Sequence, residues 1–286
     1  MAVSFSLKTT HTRSASFPAK LNLMVEKIEI ELKKLGESEE LCTSELETIG
    51  IGLSGLARLY KCVDGGLKSR ITKHAPVPHY VTPLVGVCST SKEMVVSLRN
   101  KVASVRSVLE TTDGKNDDEC SFSLSSYVGV RKDIIRSAKE VALSLRQLEL
   151  QAAENLGNES SSSSEEVSRV LTCITVINIS VLRSLLGFLM TKPKHAKQGL
   201  LHKLGLGKKT SGKAATLPAK NGNKLSDVDA ALVAVCVFPK DTDTLAVALK
   251  RLESMEVALA ELEDGLSFIC TVLSKIKSCL LNNTSL

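Results

Sequence analysis

Leu245, Ala248, Leu252, Met255, Leu259, Leu262, Leu266, Ile269, Leu273, Ile276 and Leu280 recur at alternating steps of three and four residues. At 3.6 residues per turn, that alternation lines all of them along one stripe of a single long helix. Such a stripe has to be covered by other helices, because leaving it in water forfeits about 1.5–3 kcal/mol for each fully buried Leu or Ile it could provide. Val272, Phe268 and Cys270 widen the stripe beyond the two positions per heptad of a dimeric coiled coil, which favours an intramolecular bundle. Cys42, Leu46, Ile49, Leu53, Leu56, Tyr60, Val63 and Leu67 repeat the same spacing near the other end of the chain.

The composition agrees with an aliphatic helical core. Aromatic residues make up 3% of the 286 residues and Trp is absent, whereas strand-rich domains lean on aromatic and β-branched side chains. The expected fold class is therefore all-α, a bundle of long antiparallel helices with coiled-coil-like packing.

Further helices are predicted over about 21–35, from after Ser38 to about Leu67, and over roughly 84–109, with Val95, Leu98, Val102, Val105 and Leu109 inward. Another runs from about Ser123 to Leu156 on Ile134, Ala138, Val141, Leu145, Leu148 and Ala152. A fifth covers Val170 to Met190. Its uncharged run, Val170 to Leu182, is shorter than the ~20 apolar residues a membrane span needs, so a buried bundle helix is the better explanation. Leu225 to Phe238 is a short helix before Pro239, and Asp241 or Asp243 caps the last one. Pro76, Pro78 and Pro83 are expected to prevent regular helix through their stretch.

Charge divides the chain. From Thr191 through Lys224 there are nine lysines and no Arg, Asp or Glu, so of the overall +6 this segment carries +9 and the rest is mildly acidic at −3. The organisation expected is a Ser/Thr-rich tail over residues 1–18 and a helical domain over 19–286, interrupted by a flexible lysine-rich linker at 191–224. Lys203, Lys208, Lys209 and Lys213 are its candidate contacts to an anionic surface, as in weak membrane association. Specific nucleic-acid binding is not expected without interleaved aromatics or Arg.

No catalytic constellation, cofactor site or metal site assembles from the sequence. Gly50-Ile51-Gly52-Leu53-Ser54-Gly55 has the Gly-x-Gly-x-x-Gly spacing of dinucleotide sites, but the residues leading into it are charged and helical in period, where that fingerprint needs a buried strand. Small residues for close helix packing explain it. Gly205-Leu206-Gly207-Lys208-Lys209-Thr210 lacks the first glycine of a phosphate loop, and His74 and His79 have no further metal ligands nearby. The eight cysteines contain no Cys-x-x-Cys pair and are expected to be buried free thiols in a reducing compartment. The location expected is cytoplasmic, or the plastid if the acid-free N-terminal stretch is a transit peptide.

Arg13-Ser14-Ala15-Ser16-Phe17-Pro18 has the Arg-Ser-x-Ser-x-Pro form favoured by the phosphoserine-reading 14-3-3 proteins. Phosphate on Ser16 adds about −1.5 to −2 charge and three acceptor oxygens, Arg13 supplies what basophilic kinases look for, and Pro18 turns the chain out of a groove. Arg13, Ser14, Ser16 and Pro18 are accordingly the candidate switch.

That motif is followed by Leu53-Ser54-Gly55-Leu56-Ala57-Arg58-Leu59-Tyr60-Lys61-Cys62-Val63-Asp64, Val87-Cys88-Ser89-Thr90-Ser91-Lys92-Glu93 and Ser126-Tyr127-Val128-Gly129-Val130-Arg131-Lys132. Leu262 to Asn282 comes next, with its Ser278-Cys279-Leu280-Leu281-Asn282 ending. In this order they resemble the plant-specific BYPASS-related family. The resemblance implies a helical protein of root and shoot development with no catalytic residues to carry over. The function expected is a non-enzymatic interaction or regulatory protein switched at Ser16. The alternatives are a peripheral membrane protein using the lysine-rich linker, or an enzyme.

Overall fold

In the computed structural model the described residues are 45–67, 80–111, 117–156, 163–191, 223–238 and 241–284, with the single positions 27, 30, 33 and 34. They form six helices and no strand: α1 (Glu45–Leu67), α2 (Val81–Thr111), α3 (Asp117–Leu156), α4 (Ser163–Leu189), α5 (Lys224–Val237) and α6 (Thr242–Thr284). The all-α bundle expected from the stripes is what the chain forms. Of the helix expected over 21–35, Lys27, Ile30, Lys33 and Lys34 are helical and the rest lies outside the described residues.

The stripes become the core. Along α6, Ala248, Leu252, Met255, Leu259, Leu262, Leu266, Ile269, Leu273 and Ile276 are all buried, Leu245 is half-buried, and Phe268, Cys270 and Val272 pack against the core from its flanks. That width lets α6 face α1, α2 and α5 of its own chain at once. The five long helices close a ring in the order α1, α6, α2, α3, α4 and back to α1, with α5 laid on α6. Cross-helix pairs fix the directions. Arg99 with Glu263 and Arg106 with Glu256, each at 3.1 Å, make α2 and α6 antiparallel. Gly52 against Val181 and Tyr60 against Asn178 do the same for α1 and α4. An odd number of helices cannot alternate around a closed ring, and α1 and α6 run the same way, Leu53 against Gly265 and Lys61 over the ring of Phe268.

Two helix starts lie upstream of the expected ones. Helix α2 begins at Val81 and takes Pro83 into its first turn, where the missing amide costs nothing because first-turn amides have no intrahelical acceptor. Pro76 and Pro78 lie outside the described residues. Helix α3 begins at Asp117 rather than Ser123. Asp241 is the residue that caps α6: its carboxylate accepts from the Asp243 amide at 3.3 Å and from the Thr244 hydroxyl.

Leu171–Leu189 of α4 is long and apolar enough, by length and composition, to cross a membrane, with a mean hydropathy of 1.7. Here it packs between α1 and α3 with 61% of that stretch buried, as a core helix does.

Candidate functional site

Polar side chains on the apolar stripes meet at two places. The first is a clasp at the end of the bundle where α4 stops. Extending the α3 stripe upstream from Ile134 by steps of three and four reaches Arg131 and Tyr127, and both are buried, Arg131 to 1% exposure. Arg131 donates to the carbonyls of Leu189 at 3.0 Å and Thr191 at 2.7 Å, placing a cation at the negative end of α4. It also reaches the Asp229 carboxylate of α5 at 3.4 Å, while the Tyr127 hydroxyl donates to the other carboxylate oxygen at 2.7 Å. Burial pushes the Asp229 carboxyl above its ordinary range, and the Arg131 charge and the Tyr127 and Arg131 hydrogen bonds pull it back.

Asn223 completes the clasp. Its Oδ1 accepts from the Leu225 amide at 2.9 Å, capping α5. Its Nδ2 donates to Thr191 Oγ1 at 2.9 Å and to the Glu45 carboxylate at the start of α1 at 2.8 Å. The two residues that flank 192–222 are therefore in direct contact.

The second meeting place lies inside the ring. Asn178, fully buried on α4, donates through Nδ2 to the Tyr60 hydroxyl of α1 at 2.8 Å, and its Oδ1 accepts from the Cys88 thiol of α2 at 3.9 Å. One asparagine, one tyrosine and one cysteine thus join three helices. About two turns away, the Tyr80 and Thr172 hydroxyls share a 2.7 Å hydrogen bond between the residue before α2 and the first half of α4. Burial pushes the Tyr60, Tyr80 and Tyr127 phenols up, so all three are neutral donors and acceptors.

A groove of about 310 Å³ runs between α3 and α4 over Leu145 and Leu186, bridged by an ion pair of Arg183 with Glu149. Among the described residues no group of three or more His, Cys, Asp or Glu side chains is placed to hold a metal ion. Arg13, Ser14, Ser16, Pro18, Lys203, Lys208, Lys209 and Lys213 lie outside the described residues, as do His74 and His79. In the glycine cluster, a Cβ on Gly52 would stand 2.8 Å from Val181 Cγ2, so Gly52 is the close-packing residue expected. Gly50 faces open space and is not needed for packing.

Fold and polar centres together define a class: an all-helical bundle in which buried Tyr60, Tyr127, Arg131, Asn178 and Asp229 join neighbouring helices. The chain belongs to the BPS1 family, whose description is "Protein BPS1" and which matches residues 52–282. This is the BYPASS-related plant family that the motifs resemble, and membership supports a role in plant development. Neither a curated protein nor a solved structure matches the chain.

Proposed function

We propose that the protein is a non-enzymatic interaction protein of plant root and shoot development, in which a fixed helical bundle presents regulated contact segments. The observation that carries this is the clasp. Asn223 holds Thr191 beside the start of α5, so the two described residues that flank the lysine-rich segment 192–222 stand together at one defined place on the bundle. The polar side chains inside the ring support the same reading, since Tyr60, Cys88, Asn178 and Arg131 are engaged with neighbouring helices.

In this proposal Ser16 is the switch: phosphate beside Arg13 creates the doubly charged ligand that the arginine cluster of a 14-3-3 protein reads. Affinity purification of the tagged full chain from plant tissue, wild type against Ser16→Ala, with phosphate mapped on the bait, tests it. Recovery of 14-3-3 proteins by wild type alone, with Ser16 phosphorylated, supports a switchable adaptor. Partners indifferent to Ser16 refute the switch and move recognition to the helical surface. The proposed location is cytoplasmic, and a mature N-terminus mapped beyond Pro18 would move it to the plastid and remove the motif.

The clasp also favours a second reading, contact with an anionic membrane through Lys203, Lys208, Lys209 and Lys213. Each lysine contributes at most about 1 kcal/mol at such a surface, so replacing all four by Gln weakens binding to phosphatidylserine vesicles by up to about a thousandfold. Wild type that ignores those vesicles ends this reading.

A further inference from the structure

Leu143 and Leu150 stand on α3 at 67% and 61% exposure. Seven residues apart, they lie one above the other, two turns along the same face of the helix. With Lys139, Arg146 and Glu154 they follow steps of four, three, four and four, a second stripe on the side of α3 away from buried Val141, Leu145 and Leu148.

The charge of this outer stripe is polarised. Lys139 precedes the leucine pair and Glu154 follows it, and both are exposed and pair with no other described residue. Nearby charges of α3 are already matched within the chain, Asp133 with Arg136 and Glu149 with Arg183 of α4.

We propose that this face of α3 pairs with the same face of a second copy of the chain, antiparallel, about a two-fold axis that crosses the helix between Arg146 and Gln147. A two-fold contact uses one patch twice, so the patch has to be its own complement. About that axis Leu143 stands as far to one side as Leu150 does to the other, and Lys139 as far as Glu154. Each Leu143 therefore packs on Leu150 of the second copy, each Lys139 meets its Glu154, and symmetry makes both contacts twice. At the axis Arg146 faces Gln147, whose side-chain carbonyl accepts from a guanidinium. A parallel pairing would instead set Lys139 against Lys139 and Glu154 against Glu154, so the charges select the antiparallel one.

The same test separates this face from the other candidates. The outer side of α6 carries Val247 at 48% and Val257 at 58% exposure, but setting one opposite the other brings Asp243 against Glu261. From Lys132 to Glu154, α3 has four basic and four acidic residues, so an anionic membrane gains no net attraction from it. The paired stretch from Lys139 to Glu154 is about 24 Å long and one helix wide, less than the ~800 Å² per partner of a standard interface. Dimerisation is accordingly concentration-dependent, with a Kd on the order of 10–100 µM. It goes beyond the reading of the chain as an interaction protein and uses neither Ser16 nor the lysine-rich segment, so the two fail separately.

Sedimentation equilibrium of the full chain in low salt, from about 5 to 500 µM, tests it. Wild type should pass from monomer to dimer across that range. Leu143→Glu, at an exposed position that leaves the core intact, should keep the chain monomeric throughout, and Val257→Glu should change nothing. Lys139→Glu or Glu154→Lys alone sets like charges face to face and should weaken the dimer by about tenfold, while the Lys139→Glu/Glu154→Lys double variant should restore it. The two single variants mixed in equal amounts should prefer the heterodimer, in which both charge pairs are complementary. Wild type that stays monomeric to the highest concentration overturns the proposal. So does a dimer indifferent to Leu143→Glu, or a mixture of the single variants with no preference for the heterodimer.

Discussion

Replacing Arg131 by Met keeps most of the aliphatic stem and removes the guanidinium. Three hydrogen bonds go with it, to Leu189 O, Thr191 O and Asp229, and a carboxylate only 5% exposed loses its counter-charge. Breaking a buried pair from one side costs about 3–5 kcal/mol, because the remaining ion stays dehydrated without compensation. For a bundle of this size that lowers Tm by roughly 6–20 °C. The carboxylate, not the lost contacts, is the larger part, which Arg131→Met/Asp229→Asn separates: the amide is neutral and still accepts from the Tyr127 hydroxyl. The double variant should recover most of the loss, and Asp229→Asn alone should also destabilise, since it leaves the Arg131 cation buried without its anion.

The pH dependence follows with a definite sign. In wild type, burial raises the Asp229 carboxyl above 3.8 and Arg131 opposes the rise. Without Arg131 only the Tyr127 hydrogen bond opposes it, so in the variant the folded carboxyl lies further above its unfolded value. A group raised on folding contributes stability that is present below its unfolded pKa and lost as pH rises through the folded one. The penalty of Arg131→Met, taken as the difference from wild type so that common groups cancel, should therefore be full at pH 7 and shrink as pH falls toward 4. Urea denaturation of both proteins across that range, followed by far-UV circular dichroism, measures it. A penalty below about 1 kcal/mol at pH 7, or one that grows on acidification, refutes the buried-charge account.

Two neighbouring glycines of α1 give opposite expectations for one substitution. Gly52→Ala drives a Cβ to 2.8 Å from the branched Val181 side chain; overpacking costs about 1–3 kcal/mol and outweighs the ~1 kcal/mol of helix propensity gained. Gly50→Ala meets open space and should stabilise by about 0.5–1 kcal/mol, so equal shifts in thermal denaturation would contradict the packing assigned to Gly52. Tyr60→Phe removes the acceptor of the fully buried Asn178 amide and should cost about 1–3 kcal/mol, and a neutral effect would show that Asn178 has another partner.

Much of this architecture was legible because it repeats. The stripes of α3 and α6 predicted their buried positions one by one, from Ile134 to Ala152 and from Ala248 to Ile276. The polar centres were on the same stripes and were passed over because their side chains are not apolar. Arg131 and Tyr127 continue the α3 spacing, Asn178 follows Leu171 and Ile174 by the same steps, and Asp229 stands four residues after Leu225. A polar residue at a core register position was the available signal. What no spacing holds is the partner: Tyr60 and Asn178 are 118 residues apart, Arg131 and Asp229 are 98, and only the folded ring sets them side by side. Pro83 was misjudged for a local reason, since its effect depends on whether it stands inside a helix or in its first turn.

The polar centres resolve a degeneracy that the apolar stripes leave open. Sliding α3 by one turn against α4 would still set aliphatic side chains against aliphatic side chains, at a cost in packing of the order of 1–3 kcal/mol. The same slide would carry Arg131 away from Leu189 O, Thr191 O and Asp229 and strand a buried cation, costing about 3–5 kcal/mol more. Asn178 acts likewise on α1 and α2, because Tyr60 and Cys88 satisfy it from opposite sides in one register only. The aliphatic stripes thus supply most of the cohesion and the buried polar groups select the arrangement. Because Arg131 sits at the end of α4, the arrangement it selects is also the one that brings Thr191 to Asn223, so the register of α3 against α4 and the meeting of the two residues that flank 192–222 depend on the same side chain.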